Sequence, residues 1–175
     1  SILKKGKWAM GLGGGALVER GIKASGSSDL KASMYQLGHF RGYGLTDWLS
    51  LYGKVGGAAM TINGTLPKDV PDDFGVGYLL GGQLKVKFWE HAKTVLEWDG
   101  SIQYVRVRAR HRNDNDGTWQ DWQFATGVAR PFGRMKPYVG IVGSLVDFEF
   151  KLRRAGTIVQ QSEYNSDGII GLFAG

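Results

Sequence analysis

Apolar and polar positions alternate with period two along most of the chain, most cleanly between Phe74 and about Arg110. Phe74, Val76, Tyr78, Leu80, Leu84, Val86 and Phe88 share one parity; Gly75, Gly77, Gly81, Gln83, Lys85 and Lys87 share the other. Alternation of this length predicts a long β-strand with one apolar and one polar face. It resumes after His91, Ala92 and Lys93, where Leu96, Trp98, Ile102 and Tyr104 oppose Glu97, Asp99, Ser101 and Gln103. A one-residue slip would set apolar beside polar groups. A three-residue turn at 91–93 therefore predicts Phe88 across from Leu96 and Val86 from Trp98, with Lys87 across from Glu97, Lys85 from Asp99 and Gln83 from Ser101. The polar face then carries paired opposite charges, as the inside of a narrow barrel would if its apolar outside met lipid.

The other segments extend this pattern. Trp8, Met10, Leu12, Ala16 and Val18 predict the lipid side of a first strand, and a second runs from about Leu30 to Tyr43 with its faces poorly separated. The third carries Leu49, Leu51, Val55 and Ala59 against Ser50, Tyr52 and Lys54. The sixth turns Trp122, Phe124, Thr126 and Val128 outward and Gln123, Ala125, Gly127 and Ala129 inward. In the seventh, Tyr138, Val142, Val146, Phe148, Phe150 and Leu152 are expected outside, with Asp147, Glu149, Lys151 and Arg153 on the other side. GIIGLFAG gives an eighth. Breaks near 44–47, 91–93 and 131–136 are short, and those near 19–29, 63–73, 111–118 and 154–167 are longer and more polar. That alternation predicts a single domain over 1–175: an all-β, eight-stranded antiparallel up-and-down transmembrane barrel with short periplasmic turns and longer extracellular loops. Trp8, Tyr43, Trp48, Phe88, Tyr104, Trp119, Trp122 and Tyr138, near strand ends, are expected to form interfacial girdles.

Composition refines this reading. Of 175 residues, 28 are glycine and only 4 proline, and glycines inside alternating segments suit crowded, curved sheets. The absence of cysteine excludes disulfide frameworks and thiolate–metal sites. No run approaches the roughly 18 apolar residues of a membrane helix, and the mean hydropathy of −0.22 suits a barrel whose strands hide half their residues from lipid. A start at Ser1 with neither methionine nor apolar leader fits a mature product whose export signal has been removed, although an expression product would look the same.

At GYGLTDW, residues 42–48, followed by LSLYGKVGGA, Thr46 and Asp47 are expected to cap the local turn. A GYGLTD-type turn feeding an L-x-x-YGKxG strand resembles the small outer-membrane β-barrels of Gram-negative bacteria, the OmpA-transmembrane-domain and OmpX-like group. The resemblance extends over essentially the whole chain as a pattern, and it marks a fold rather than an activity. It implies a location in the bacterial outer membrane. The family's last strand ends in a carboxy-terminal aromatic, whereas here Ala174 and Gly175 follow Phe173, which points to further residues beyond Gly175.

Two clusters are candidate sites. Lys54, Lys85, Lys87, Glu97, Asp99, Asp147 and Glu149 are expected to point into the lumen, either as an ion path or as a plug of mutually satisfied charges. The plug is favoured because buried charges must be paired. Arg106, Arg108, Arg110 and Arg112, with Lys151, Arg153 and Arg154, form a basic outer rim suited to lipopolysaccharide phosphate, or simply a solvated edge. The expected partners are the lipid bilayer, lipopolysaccharide at that rim and a protein at the loops or the periplasmic side.

Several motifs are set aside. Gly11, Gly13 and Ala16 match a dinucleotide fingerprint but lie inside a strand pattern with no helix after it. Asn63-Gly64-Thr65 is only formally a glycosylation acceptor. HRNDNDGTW has Arg112 where a calcium loop needs its first aspartate. His39 reads as a lumen hydrogen-bonding residue, and His91 and His111 assemble no triad with a serine or acid. The aromatics do not interleave with the arginines as nucleic-acid stacking platforms do. The expectation is a non-enzymatic, cofactor-free membrane barrel of structural, adhesive or docking role. The alternatives are a soluble lipocalin-like ligand barrel, its apolar face turned inward, and a narrow ion-conducting pore.

Overall fold

A computed structural model describes the chain except residues 1, 25–26, 64–72, 92–95, 111–115, 133–134, 136, 155–156, 167 and 175. The alternating segments form β1 (Trp8–Ala24), β2 (Ser27–Gly44), β3 (Leu49–Asn63), β4 (Asp73–His91), β5 (Leu96–Arg110), β6 (Asp116–Ala129), β7 (Tyr138–Arg154), β8 (Thr157–Asn165) and β9 (Ile169–Ala174). Each of β1 to β7 pairs antiparallel with the next, giving one up-and-down sheet. β8 and β9 lie end to end along β7; β9 is the expected eighth strand, and β8 forms within the stretch 154–167 expected as a loop. β8 meets β1 again at two residue pairs, Lys23↔Asn165 and Ala24↔Tyr164. Among the described residues no ladder joins β9 to the first half of β1.

Strand length is where the sequence reading falls shortest. Polar stretches expected as loops, 19–29 and 154–167, are mostly strand, and β6 begins at Asp116. Long and short connections therefore do not alternate strictly. These segments look loop-like because they are rich in polar residues, yet ladder hydrogen bonding does not require an apolar face.

The β4–β5 register also differs. Gln83 faces Gln103, Lys85 faces Ser101 and Lys87 faces Asp99, two residues away from expectation, and a bulge between Lys87 and Trp89 then pairs Trp89 with Trp98. A shift of two keeps every side chain on its face, which is why parity alone could not detect it.

Glycines concentrate where the inward face is crowded. A Cβ on Gly56 would strike the Leu37 carbonyl of β2, and the Phe40 ring lies over Gly11. The first turn is fastened to the amino-terminal segment. Gly6, at φ 74°, donates to the Gly44 carbonyl at 2.8 Å, Lys5 N donates to Asp47 Oδ1 at 3.0 Å, and Leu3 N donates to Ser50 Oγ at 2.9 Å. Thr46 caps locally by accepting from Trp48 N at 3.2 Å.

Candidate functional site

The inward face changes character along the strands. In the half nearer the connections after β2, β4 and β6, the short turns of the sequence reading, β3 turns in Tyr52 and Lys54, β4 Gln83 and Lys85, and β5 Asp99, Ser101 and Gln103. Lys54 Nζ donates to Gln36 Oε1 at 3.0 Å, Gln83 Nε2 donates to Ser101 Oγ at 3.3 Å, and Lys85 Nζ lies 5.0 Å from the centre of the Tyr52 ring. Lys87 sits opposite Asp99 in the ladder, but its ammonium reaches Glu90 at 2.6 Å near the turn. Glu97 pairs across the ladder with Glu90 at the same edge. Two cavities remain. One of about 250 Å³ is lined by Gly13, Phe40, Tyr52, Lys54, Lys85 and Gln103 among others. A neighbour of about 460 Å³ shares Gln83 and Lys85 and reaches Asp99 and Tyr138.

In the other half the inward face is apolar. Met60 and Ile62 of β3, Leu79 of β4, Val107 of β5, Trp119 of β6, and Val146, Phe148 and Phe150 of β7 are all fully buried. Trp119 and Phe148 are directly paired, their rings 6.4 Å apart. The obstruction expected from paired charges is thus chiefly a hydrocarbon and aromatic plug.

Beneath the plug lies a polar cluster the sequence reading missed. A one-residue irregularity between Leu17 and Arg20 reverses the parity of β1, placing Arg20 opposite inward Ala32 and burying it. Its guanidinium donates to Ser144 Oγ at 2.7 Å, to the Ser144 carbonyl at 3.0 Å and to Ser166 Oγ at 2.9 Å, and lies 4.0 Å from Asp121. Asp121 also accepts from Ser144 Oγ and, at 2.7 Å, from Gln123 Nε2. The phase shift of this bulge falls at the edge of the polar stretch 19–29, where no alternation is present to reveal it, whereas buried Asp121, on the parity of Gln123, was within reach of the alternation argument.

Strand β7 is reversed relative to expectation. Val146, Phe148 and Phe150 face inward, and exposed Asp147 with Glu149 and Lys151 face out. Asp147 and Glu149 therefore leave the lumen set. Between 139 and 146 both parities of β7 are apolar, so alternation could not choose a side; only pairing with β6 does so.

Of the basic rim, Arg106, Arg108 and Arg110 stand outward on β5. Asp116, almost fully buried, accepts from Arg108 and Arg110 at 3.0 Å each. Burial raises the Asp116 pKa, but hydrogen bonds and charge from the two arginines outweigh it and hold the carboxyl below its ordinary range. Lys151 pairs with Glu149 at 3.0 Å. Arg106 has no ion-pair partner among the described residues. The side chains of Arg153 and Arg154, and all of residues 111–115 with His111 and Arg112, lie outside the described residues.

The aromatic positions divide similarly. Trp8 packs on Tyr43 with ring centres 4.6 Å apart, Phe88 on Trp98 at 5.0 Å and Tyr104 on Trp122 at 4.7 Å, and Trp48 is exposed. Two expected girdle members do not belong there: Trp119 is in the plug and Tyr138 lines the larger cavity. His39 lies on the outward parity of β2, between Leu12 and Val55, and not in the lumen, because inward Met34, Gly38 and Gly42 fix the opposite parity. No family model matches the chain, and no curated protein or solved structure gives a significant match.

Proposed function

We propose that the chain is a closed eight-stranded barrel of a bacterial outer membrane, related to the OmpA-transmembrane-domain and OmpX-like group. On this reading it is a non-enzymatic structural or docking protein whose lumen does not pass solutes. The observation that carries the reading is a simultaneous change of both faces at one level of the sheet. In the short-turn half, Met10 and Leu12 of β1 (72% and 81% exposed), Leu37, Val55, Leu80, Ile102, Phe124, Ile141 and Leu172 stand outward over a polar interior. In the other half, Lys31, Thr61, Arg106, Arg110, Asp147 and Glu163 stand outward over an apolar interior.

A wall that is apolar outside and polar inside is stable against lipid, and the reverse wall is stable in water. Tyr104 and Trp122 mark the change, with Arg106 the next outward residue on β5, as expected where hydrocarbon gives way to headgroups. The ten residue steps from Tyr78 to Phe88 cover about 33 Å along β4, or about 25 Å along the membrane normal at a tilt of roughly 40°. A soluble ligand barrel accounts for the water-facing half but leaves the exposed belt without a partner.

The outer ends of β5 to β8, with their connections, would present the docking surface. Because Asp116 holds Arg108 and Arg110, capture of lipopolysaccharide phosphate would fall first on Arg106. In single-tryptophan variants folded into vesicles of acyl-chain-brominated lipid, Trp98 and Trp122 should be quenched and Trp119 should not. Equal quenching of all three, or of none, would sink the membrane reading.

A further inference from the structure

The smaller interior cavity has a composition that the barrel reading does not require. Its lining includes two lysines, Lys54 and Lys85, and no carboxylate. Lys54 has three N–H donors; its hydrogen bond among the described residues is to the neutral Gln36 amide, and no ion pair balances it there. Neither of the nearest inward carboxylates lines it: Asp121 is taken by Arg20, Ser144 and Gln123, and Asp99 lines the neighbouring cavity, which Lys85 also lines.

The amides of Gln83 and Gln103 face the same space, and the inward-facing Gly13 and Gly81 keep it open. Val105 lies at its inner limit, and the plug closes the way toward the loops. The larger cavity, which shares Gln83 and Lys85, leads toward Tyr138 at the short-turn end.

We propose that this blind, lysine-lined chamber is a binding site for a small oxyanion, reached from the short-turn side and held by Lys54 and Lys85 with Gln83 as a neutral donor. An ammonium removed from bulk water gains most from a charged acceptor, and an amide that can turn its N–H groups inward completes the shell. The inference rests on the closed-barrel reading, since only closure makes the chamber an interior.

The chain contains no cysteine, so a Gln103→Cys variant of the detergent-folded protein reports on the chamber through its rate of labelling by a small methanethiosulfonate. At inorganic phosphate ten times its Kd, labelling should slow about tenfold by simple occupancy, while chloride at matched ionic strength should leave it unchanged. Adding Lys54→Met should abolish the protection. Ser101→Cys, in the neighbouring cavity, serves as a second reporter should Gln103→Cys not fold. No slowing by phosphate, equal slowing by chloride, or protection that survives Lys54→Met would each overturn the proposal. Migration on gels before and after boiling separates the two levels. A heat-shifted protein without phosphate protection loses the oxyanion site alone, whereas a detergent-independent protein with no heat shift loses the barrel and the site together.

Discussion

Along β5, Asp99, Ser101 and Gln103 turn inward while Trp98, Ile102 and Tyr104 turn out; immediately beyond, Val105, Val107 and Ala109 turn inward while Arg106, Arg108 and Arg110 turn out. β3 repeats the change, from inward Tyr52 and Lys54 to inward Ala58, Met60 and Ile62. Neither strand breaks its period-two geometry to do so. The comparison teaches that alternation records which residues share a face, while the solvent at each level decides which chemistry belongs on it. One wall can thus obey opposite rules at its two ends.

Substitutions in the two halves should differ accordingly. The largest effect is expected at Trp119, fully buried in the plug: Trp119→Ala should cost about 4 kcal/mol of unfolding free energy, read by urea titration in micelles. Trp119→Phe should cost well under half of that, because the indole Nε1 is buried without a hydrogen-bond partner. Next comes Arg20, at the border between the halves. Arg20→Met strands Asp121 and should cost about 3 kcal/mol, and adding Asp121→Leu should recover part of the loss. A double variant no more stable than Arg20→Met would remove Asp121 as the reason for that cost.

On the outer skin of the plug half, Asp116 has a folded pKa below its unfolded value. Its stabilisation is therefore present in full above the unfolded value and is lost as pH falls through the folded one. Asp116→Asn should flatten the acid limb of a stability–pH profile and leave the neutral region sloping as before. The smallest effect is expected in the polar half: Gln103→Ala, beside a cavity, should stay within about 0.5 kcal/mol. A loss there as large as at Trp119 would erase the contrast between the halves.

Much of this was legible in the residues. Alternation placed β4, β5 and β6 with the right faces, and Lys54, Lys85 and Asp99 on the inner one. It failed where its premise fails. β7 carries apolar residues on both parities from Val139 to Val146, so Asp147 and Glu149 were drawn to the wrong side. β1 hides a bulge, so Arg20 could not be read as interior. The end of β1, the start of β6 and most of β8 are rich in polar residues and passed for loops. The β4–β5 slip of two residues preserved every face and so left no trace in the pattern.

The central claim is that the exposed apolar belt meets lipid. Its most direct test is fractionation of expressing cells, followed by gel migration of the detergent-extracted protein with and without boiling. The account predicts recovery with the outer membrane and a shift in apparent size on boiling. Recovery in solution without detergent, with the same migration before and after heating, would contradict it.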